Sequence, residues 1–315
     1  MNDRTRRFSA VVVAAVAGVP VLAGSVAGCD PFAAPPKDTV TLSVSSLHNP
    51  FFRELRTGAR QAAQASGVRL RVVGARNNLH RQARQLRMAV HEGSDAVLVN
   101  PVSSVAADTA FRRVLHTDVP VVAVDRAVHG ADVESTVLSD NVDGGMQAAE
   151  AVAEAVDGPG QVIQLQGVPG TSSSISLGRG FAQAMSYHDE LDVVAKQPAY
   201  YDRGSAREVT SKLLMAYPHV KAIFAENDEM ALGAIDALGD RAGTDVKVVG
   251  YDGIPEALRA IQAGTMDATV AQKPEQLGQT AVEQAVTAID GGLVAPRVPV
   301  GVELVTGGNV NQYLY

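Results

Sequence analysis

Short runs of consecutive apolar residues alternate along this chain with longer segments in which apolar residues recur every three or four positions. An apolar run predicts a strand buried on both faces, and such strands are typical of a parallel sheet covered by helices. In the first part of the chain we predict helices at residues 51–65, 79–91 and 104–115, between strands at residues 40–44, 68–73, 96–99 and 119–124. The alternation therefore predicts an α/β fold.

The same alternation is repeated further along the chain. Strands are predicted at residues 162–165, 193–195, 222–225 and 246–249, with helices at residues 141–156, 172–187, 206–217 and 229–238. The repeat predicts two similar doubly wound lobes of about 100–130 residues each. In each lobe a strand runs into an aspartate, Asp125 or Asp252. Because ligands of open α/β sheets bind beyond the carboxyl ends of the strands, the lobes predict a hinged cleft with polar strand ends on both walls.

The amino-terminal segment has the order of parts found in an export signal. Three arginines precede an uncharged stretch at residues 8–23, and the segment ends in Val-Ala-Gly-Cys29. The uncharged stretch is too short for a stable membrane span. The ending resembles a bacterial lipobox, which implies cleavage before Cys29 and a diacylglyceryl group on its thiol. We therefore predict a signal peptide at residues 1–28 and a proline-rich tether at residues 29–37. A plain secretory peptide with an incidental cysteine is the alternative.

Composition and motifs argue against several classes of function. The formal net charge of −7 provides no global positive field for nucleic acid. With a single cysteine, no internal disulfide is possible. The histidines show no zinc-like spacing, and no Gly-x-Ser-x-Gly elbow is present. The segment from Gly167 to Ser172 lacks the lysine of a P-loop, so a structural turn is favoured over a phosphate cradle. We expect no catalytic set, no cofactor and no metal.

Polar and aromatic residues stand where the predicted strands end. Asn49, Phe51 and Phe52 follow the first strand. Neighbouring helix positions point about 100° apart, so at least one ring should face the cleft. The other strand ends carry Asn100, Asp125, Arg126, Asn227, Asp252 and Gln272. Each of these residues alone is more often a cap or turn residue. Together they combine apolar rings with paired hydrogen-bonding groups, which is what a sugar needs.

The chain from Thr39 to about Val305 resembles the periplasmic ribose-binding proteins of bacterial ABC importers. The stretches that carry the resemblance are Asn49 to Phe52, Asn100-Pro101, Asp125-Arg126, Ser139 to Asn141, Leu165 to Gly167, Gly170 to Ser172, Asn227 to Gly233, Val249 to Gly253 and Ala271-Gln272. The resemblance implies two Rossmann-like lobes with parallel sheets, joined by a three-segment hinge (periplasmic binding protein type I). The implied lobes comprise residues 38–139 with 273–301, and residues 140–272 with 302–315.

The resemblance also implies the ligand contacts, position by position. The matching residues are Asn49, Phe51, Phe52, Asn100, Asp125, Arg126, Tyr201, Asn227, Tyr251, Asp252 and Gln272. Tyr201 and Tyr251 stand where the family usually has Phe. Leu177 stands where it usually has a ligand-contacting Arg, and Arg179 lies on another face of an ideal helix. This departure puts ribose itself in doubt. Either the ligand has an apolar edge against Leu177, or a tyrosine hydroxyl takes over the contact and ribose or a close relative is retained.

The function implied by the resemblance is transport. A monomeric receptor, held outside the cytoplasm by its lipid anchor, would deliver a monosaccharide to the permease of an ABC importer. A receptor that feeds a membrane sensor is an open alternative, because both partners would touch the rims of the lobes. A sugar-responsive regulator of the LacI type shares these lobes, but it needs an amino-terminal helix-turn-helix where this chain has the lipobox. We expect a sugar receptor, not an enzyme and not a nucleic-acid-binding protein.

Changing Cys29 to Ser should release the protein from membranes. Each CH₂ group of an acyl chain contributes about 0.8 kcal/mol when it is buried in the bilayer, and the tether has no comparable apolar surface. Fractionation of cells that express the wild type or Cys29→Ser measures the difference. A native protein that mass spectrometry finds unlipidated and cleaved elsewhere contradicts the prediction.

Overall fold

The computed structural model describes residues 38–105 and 117–314. Six strands form a first sheet, in the order β2-β1-β3-β4-β5-β11, with strands numbered along the chain. They are β1 (Thr39–Val44), β2 (Arg69–Gly74), β3 (Ala96–Val99), β4 (Val121–Val124), β5 (Ser135–Ser139) and β11 (Arg297–Val300). Neighbouring strands in this sheet are parallel. All their carboxyl ends therefore lie at one edge of the sheet.

Six more strands form a second sheet, in the order β7-β6-β8-β9-β10-β12. They are β6 (Gly160–Gln166), β7 (Leu191–Pro198), β8 (Val220–Ala225), β9 (Lys247–Asp252), β10 (Ala268–Ala271) and β12 (Glu303–Thr306). Strands β6 to β10 pair in parallel, and β12 is antiparallel to β10. The chain passes from one sheet to the other after β5, after β10 and after β11.

Helices cover both faces of each sheet. Those on the first sheet are α1 (Pro50–Ala65), α2 (Leu79–His91) and α8 (Pro274–Ile289), and those on the second are α3 (Asn141–Ala155), α4 (Ser172–Met185), α5 (Arg203–Ala216), α6 (Asp228–Leu238) and α7 (Pro255–Gln262). Apolar side chains of strands and helices form a separate buried cluster on each sheet face. Of the helices in the described residues, none has the length and apolar character needed to cross a membrane.

The predicted fold class is confirmed, since both sheets are largely parallel and helices cover their faces. The sequence pattern did not predict β5, β11, β12, α7 or α8. Strands β5 and β11 carry polar residues or proline, so they do not form continuous apolar runs. The buried face of α8 is rich in small residues, which weakens its apolar periodicity. The lobe boundaries stay a prediction.

Two groups of predictions fall outside the described residues. The signal peptide, Cys29 and the tether lie in residues 1–37. Most of the helix predicted at residues 104–115 lies in residues 106–116.

Helices α3 and α4 approach each other through glycine. A Cβ atom on Gly145 of α3 would overlap the carbonyl oxygen of Leu177 in α4. A Cβ atom on Gly180 of α4 would overlap the carbonyl oxygen of Val142 in α3. Interiors packed this tightly do not accept added methyl groups without backbone shifts. The close crossing therefore fixes the position of α4, the helix that carries Leu177.

Candidate functional site

A cavity of 340 Å³ lies between the carboxyl ends of the strands of the two sheets. Its lining comes from both sides. The first sheet and its loops contribute Ser45, Asn49, Phe51, Phe52, Asp125 and Arg126, and the second contributes Ser173, Leu177, Tyr201, Glu226, Asn227, Tyr251, Asp252 and Gln272. Eleven of the twelve residues predicted to contact ligand are in this lining, and Asn100 is the exception. Their contact with a ligand stays a prediction.

The backbone around the cavity is in unusual conformations. Within the described residues, six residues other than glycine have positive φ, and five of them line the cavity. These five are Asn77 (54°), Asp125 (65°), Tyr200 (61°), Tyr201 (58°) and Asp252 (127°). L-residues adopt such angles at an energetic cost, and the residues that keep them cluster at functional sites. The backbone therefore independently supports this cavity as the candidate functional site.

On the first side, a buried ion pair follows β4. Arg126 Nε lies 3.6 Å from Asp125 Oδ2, and the Nη1 of the same guanidinium donates to the carbonyl oxygen of Pro101 at 3.2 Å. Asn100 does not line the cavity but lies behind Asp125. Its Nδ2 donates to Asp125 Oδ2 at 2.7 Å, and its Oδ1 accepts from the Ser45 amide at 3.0 Å. Asn100 therefore orients the carboxylate.

Both phenylalanines after β1 face the cavity. The rings of Phe51 and Phe52 meet edge to face, with centres 5.1 Å apart and planes at 86°. Asn49 is the N-cap of α1, where its Oδ1 accepts from the Phe51 amide at 2.8 Å. The residue thus has the cap role that its type favours and also lines the cavity. The two adjacent rings form an apolar wall beside the polar ion pair.

On the second side, three polar side chains extend from β8, β9 and β10. Gln272 Nε2 donates to Asp252 Oδ1 at 2.7 Å, and Gln272 Oε1 accepts from Ser139 Oγ at 2.6 Å. Ser139 ends β5, so this chain of hydrogen bonds connects the two sheets. Asn227 caps α6 through its Oδ1, which accepts from the Met230 amide at 3.0 Å. The Asn227 amide group remains beside the cavity.

Two tyrosines of the site, Tyr201 and Tyr251, each pack against a glycine. A Cβ atom on Gly144 would lie 2.6 Å from Tyr251 Cε2, and one on Gly167 would overlap the Tyr201 ring. The Tyr251 hydroxyl donates to Asn141 Oδ1 at 2.9 Å. The Tyr201 hydroxyl is 3.2 Å from Ser173 Oγ. Both hydroxyls thus already have a protein partner.

Leu177 and Arg179 point to different places. Leu177 lines the cavity and is almost fully buried. Arg179 is exposed and lines a separate surface pocket with Arg297. The helix geometry expected for this pair is therefore observed, and Arg179 does not replace the missing guanidinium at position 177. Two other arginines, Arg126 and Arg203, line the cavity. The Arg203 guanidinium is paired with Asp236 and Glu256, whereas the guanidinium carbon of Arg126 lies 5.2 Å from the centre of the Tyr201 ring.

Buried carboxyl groups dominate the electrostatics of the site. Burial raises the pKa of Asp125 to about 6, although Arg126 and the Asn100 amide act in the opposite direction. Burial also raises the pKa of Glu226 to about 7. The pKa of Asp252 is raised well above its ordinary value, first by burial and then by the charge of Asp228. Ligand groups that donate hydrogen bonds would stabilise the charged forms of these carboxyls.

Several residues that line the cavity were not predicted from the sequence, among them Asn141, Ser173 and Glu226. Glu226 stands directly after the predicted strand at residues 222–225, so its position at a strand end was a usable signal. Asn141 and Ser173 lie in first turns of helices, where polar residues are common for reasons of capping. Their place beside the cavity depends on how α3 and α4 pack, and no local pattern shows it.

A cavity enclosed by the carboxyl ends of two α/β sheets is the kind of site that solute-binding proteins have. Residues 40–293 match the model of the periplasmic binding protein domain. The chain belongs to the periplasmic binding protein family.

Similar proteins come from several bacteria. The ribose import binding protein of Escherichia coli K12 is 40% identical over 269 residues, which cover 85% of this chain and 90% of that protein. The D-allose-binding periplasmic protein of the same organism is 30% identical over 264 residues, with coverages of 80% and 85%. The crystal structure of the Caulobacter myo-inositol binding protein bound to myo-inositol has a TM-score of 0.82 at 33% identity, covering 90% of this chain and 98% of that chain.

The raised pKa of Asp125 predicts a pH dependence of folding. The folded-state pKa of about 6 exceeds the ordinary value of 3.8, so this group's contribution to stability is complete below about pH 4 and is lost as the pH rises through about 6. The unfolding free energy of Asp125→Asn minus that of the wild type should therefore increase by up to about 3 kcal/mol between about pH 4 and pH 7.5. Urea unfolding at several pH values measures this difference. The exposed change Asp157→Asn is the control, and a difference for Asp125→Asn that does not change with pH contradicts the prediction.

Proposed function

We propose that this protein is the extracytoplasmic substrate-binding component of an ABC importer. In this proposal it binds a monosaccharide, a ribose-like pentose or a related sugar, in the cavity between the two sheets. The observation that carries the proposal is the composition of the lining, in which aromatic rings alternate with carboxylates and N–H donors from both sheets. The similar proteins named for ribose and D-allose support it.

The hydrogen-bonding groups of the cavity suit a polyhydroxyl ligand. Arg126 Nε is a buried donor that lies 3.6 Å from Asp125 Oδ2, beyond hydrogen-bond distance, and the Asn227 side-chain amide lies beside the Asp252 carboxyl. Each belongs to the same side of the cavity as a buried carboxyl group, Asp125 or Asp252. A sugar hydroxyl both donates and accepts, so it can bridge a carboxylate and an N–H group. The C–H faces of a sugar ring would pack on the rings of Phe51 and Phe52.

We propose binding without catalysis. The carboxylates of Asp125 and Asp252 each accept a hydrogen bond from a neighbouring amide, which orients them as acceptors for ligand hydroxyls. Over residues 38–105 and 117–314, no three His, Cys, Asp or Glu side chains are grouped in a way that could hold a metal ion. The Gly167 amide, which a phosphate cradle would need, donates to Glu226 Oε2 at 2.8 Å. These contacts support a receptor.

The lining favours a monosaccharide other than ribose. Leu177 offers no hydrogen bond, and the proton of the Tyr251 hydroxyl is used on Asn141. The Tyr201 hydroxyl shares its hydrogen bond with Ser173. The alternative in which a tyrosine hydroxyl takes over the role of the missing guanidinium is therefore weakened. A sugar with a deoxy or methyl edge against Leu177 fits this wall best.

The remaining parts of the proposal concern location and partners. We propose that Cys29 carries the lipid anchor and that the mature protein is a monomer at the outer face of the cell membrane. The three passes between the sheets would act as the hinge on which the two halves close around the sugar. The Ser172 side chain already links the two sides, because its Oγ accepts from the Ala127 amide at 2.8 Å. A permease could then distinguish the loaded from the empty receptor.

A thermal-shift screen of the mature protein against pentoses, hexoses and polyols tests the proposed function. The cognate sugar should raise Tm by mass action, and small-angle scattering should show a more compact particle when it is bound.

Asp252→Ala should weaken binding about 5- to 150-fold, because sugar hydroxyls in a closed cavity lose their partner. Asp252 has positive φ, which Asn tolerates better than Ala, so Asp252→Asn separates the lost carboxylate from backbone strain. Asp157→Ala is the exposed control. If no sugar shifts Tm, the proposed function is wrong.

Leu177→Arg tests the choice of sugar. A guanidinium at this position would donate a charged hydrogen bond worth about 1.5–3 kcal/mol, so ribose should bind the variant about 10- to 100-fold more tightly than it binds the wild type. Leu177→Met is the control, because it keeps the apolar volume and adds no donor. Isothermal titration with ribose measures the three dissociation constants. Tight ribose binding by the wild type, with no gain in Leu177→Arg, would show that the loss of this arginine did not change specificity.

A further inference from the structure

Glu226 is a buried acid at the end of β8 that the proposed sugar contacts do not use. Its side chain is buried, with 1% of the residue exposed, and it lines the cavity on the side of the second sheet. Its Oε2 accepts from the Gly167 amide at 2.8 Å and from the Ser174 hydroxyl. Its Oε1 accepts from Gln164 Nε2 at 2.9 Å. The carboxylate is thus held by three donors.

The three donors come from three different segments of the part of the chain that forms the second sheet and its helices. Gln164 belongs to β6, Gly167 to the turn that follows this strand, and Ser174 to the first turn of α4. A carboxylate is the side-chain group that accepts several hydrogen bonds at once without needing to donate one. Removing it would leave a buried amide N–H group and a buried side-chain amide without partners, which is strongly unfavourable.

The segment held by Glu226 carries part of the cavity wall. Ser173 and Leu177 line the cavity from α4, on either side of Ser174. Ser173 also provides the partner of the Tyr201 hydroxyl. A Cβ atom on Gly178 would lie 3.5 Å from Glu226 Oε1, so the carboxylate packs directly under this turn of the helix. Binding groups function only when their supports hold them to within about 0.5 Å.

We propose that Glu226 is a positioning residue of the ligand site: its carboxylate holds the first turn of α4 and the turn at Gly167 on the end of β8, and so sets the wall formed by Ser173, Leu177 and Tyr201. The effect on sugar binding rests on the proposed function, whereas the effect on the wall does not.

A change in the protonation state of Glu226 near neutral pH should change how firmly the wall of Ser173, Leu177 and Tyr201 is held. Burial brings its pKa to about 7. The titratable groups that face it are Lys196 on β7 and Tyr201 after β7, while Arg179 of α4 is exposed on another face. A protonated carboxyl must donate one hydrogen bond, but its partners are arranged as donors. The Ser174 hydroxyl can accept this proton only by reversing its role and ending its own donation to the carboxyl. Gln164 Oε1 is a buried acceptor without a partner among the described residues, and it can accept the proton only after its amide turns over and gives up its present bond.

The carboxylate form therefore holds the wall most tightly. Ligand affinity should decrease as the pH falls below about 7, because a neutral acid holds the three donors less strongly than the charged carboxylate does. Folding stability has the opposite dependence. Since the pKa of Glu226 is raised from 4.5, this group's contribution to stability is complete below about pH 4.5 and is lost as the pH rises through about 7.

Two variants of the mature protein test the proposal without any ligand. Glu226→Ala should speed amide hydrogen exchange in residues 167–178, and Glu226→Gln should restore slow exchange, because Gln still accepts from the turn and from α4. In NMR spectra of the wild type, the Gly167 amide should titrate with a midpoint near pH 7, and this titration should be absent in Glu226→Gln. The exposed change Glu208→Ala is the control.

Sugar binding is the second readout. The sugar identified by the thermal-shift screen should bind Glu226→Ala about tenfold or more weakly than it binds the wild type. Glu226→Gln should bind it about as well as the wild type does at about pH 6, with an affinity that no longer changes between about pH 6 and pH 8. Unchanged exchange in Glu226→Ala, or a Gly167 amide that does not titrate, overturns the proposal whether or not a sugar binds. Faster exchange in a protein that binds no sugar supports the positioning role and refutes the proposed function instead.

Discussion

Asp125 and Asp252 are carboxylates buried at the ends of strands in different sheets, and the rest of the site is arranged around their desolvation. A buried charge is unfavourable unless hydrogen bonds or an opposite charge compensate for it. Asn100 and Gln272 each provide an amide donor, and Arg126 is the buried cation beside the first carboxylate. These contacts leave each carboxylate with acceptor capacity toward the cavity. Under the proposed function, a ligand rich in hydroxyl groups would complete the compensation and so couple binding to closure.

A further set of buried acids supports the backbone of the site. Asp228 lies behind Asp252 and accepts from the amides of Gly253 and Ile254 at 2.7 and 2.9 Å. It thereby holds the turn in which Asp252 has a φ of 127°. Glu226 accepts in the same way from the turn at Gly167 and from Ser174 in the first turn of α4. The positive φ angles around the cavity persist because such contacts, together with the packed sheets beneath, determine the local conformation.

Close helix packing connects this polar region to the apolar core. Gly145 and Gly180 allow α3 and α4 to cross at short distance, so the backbone of α4 has little freedom to shift. Leu177 is therefore presented to the cavity by a helix held on one side by α3 and on the other by the Glu226 carboxylate. A wall that cannot move is a condition for discriminating sugars that differ by one hydroxyl group.

Much of this architecture could be predicted from the sequence. Apolar runs and helical periodicity are local properties, and they suffice to predict two largely parallel sheets covered by helices. The position directly after a strand is also local, and parallel strands bring such positions to one edge. Asp125, Arg126, Asn227, Asp252 and Gln272 could therefore be placed together before any coordinates were known. The elements that escaped prediction, such as β5 and α8, are those whose local pattern is polar or rich in small residues.

Only the tertiary structure decided which partner each of these side chains has. Asn100 lies behind Asp125 rather than in the lining, because the hydrogen bond to the carboxylate and the contact with Ser45 draw it into the protein. The Tyr251 hydroxyl is bound by Asn141, a residue 110 positions earlier in the chain. Glu226 meets three donors because β6, the turn after it and α4 converge at one point. Such contacts depend on the packing of distant elements, and a sequence pattern carries information only about the period and the ends of each element.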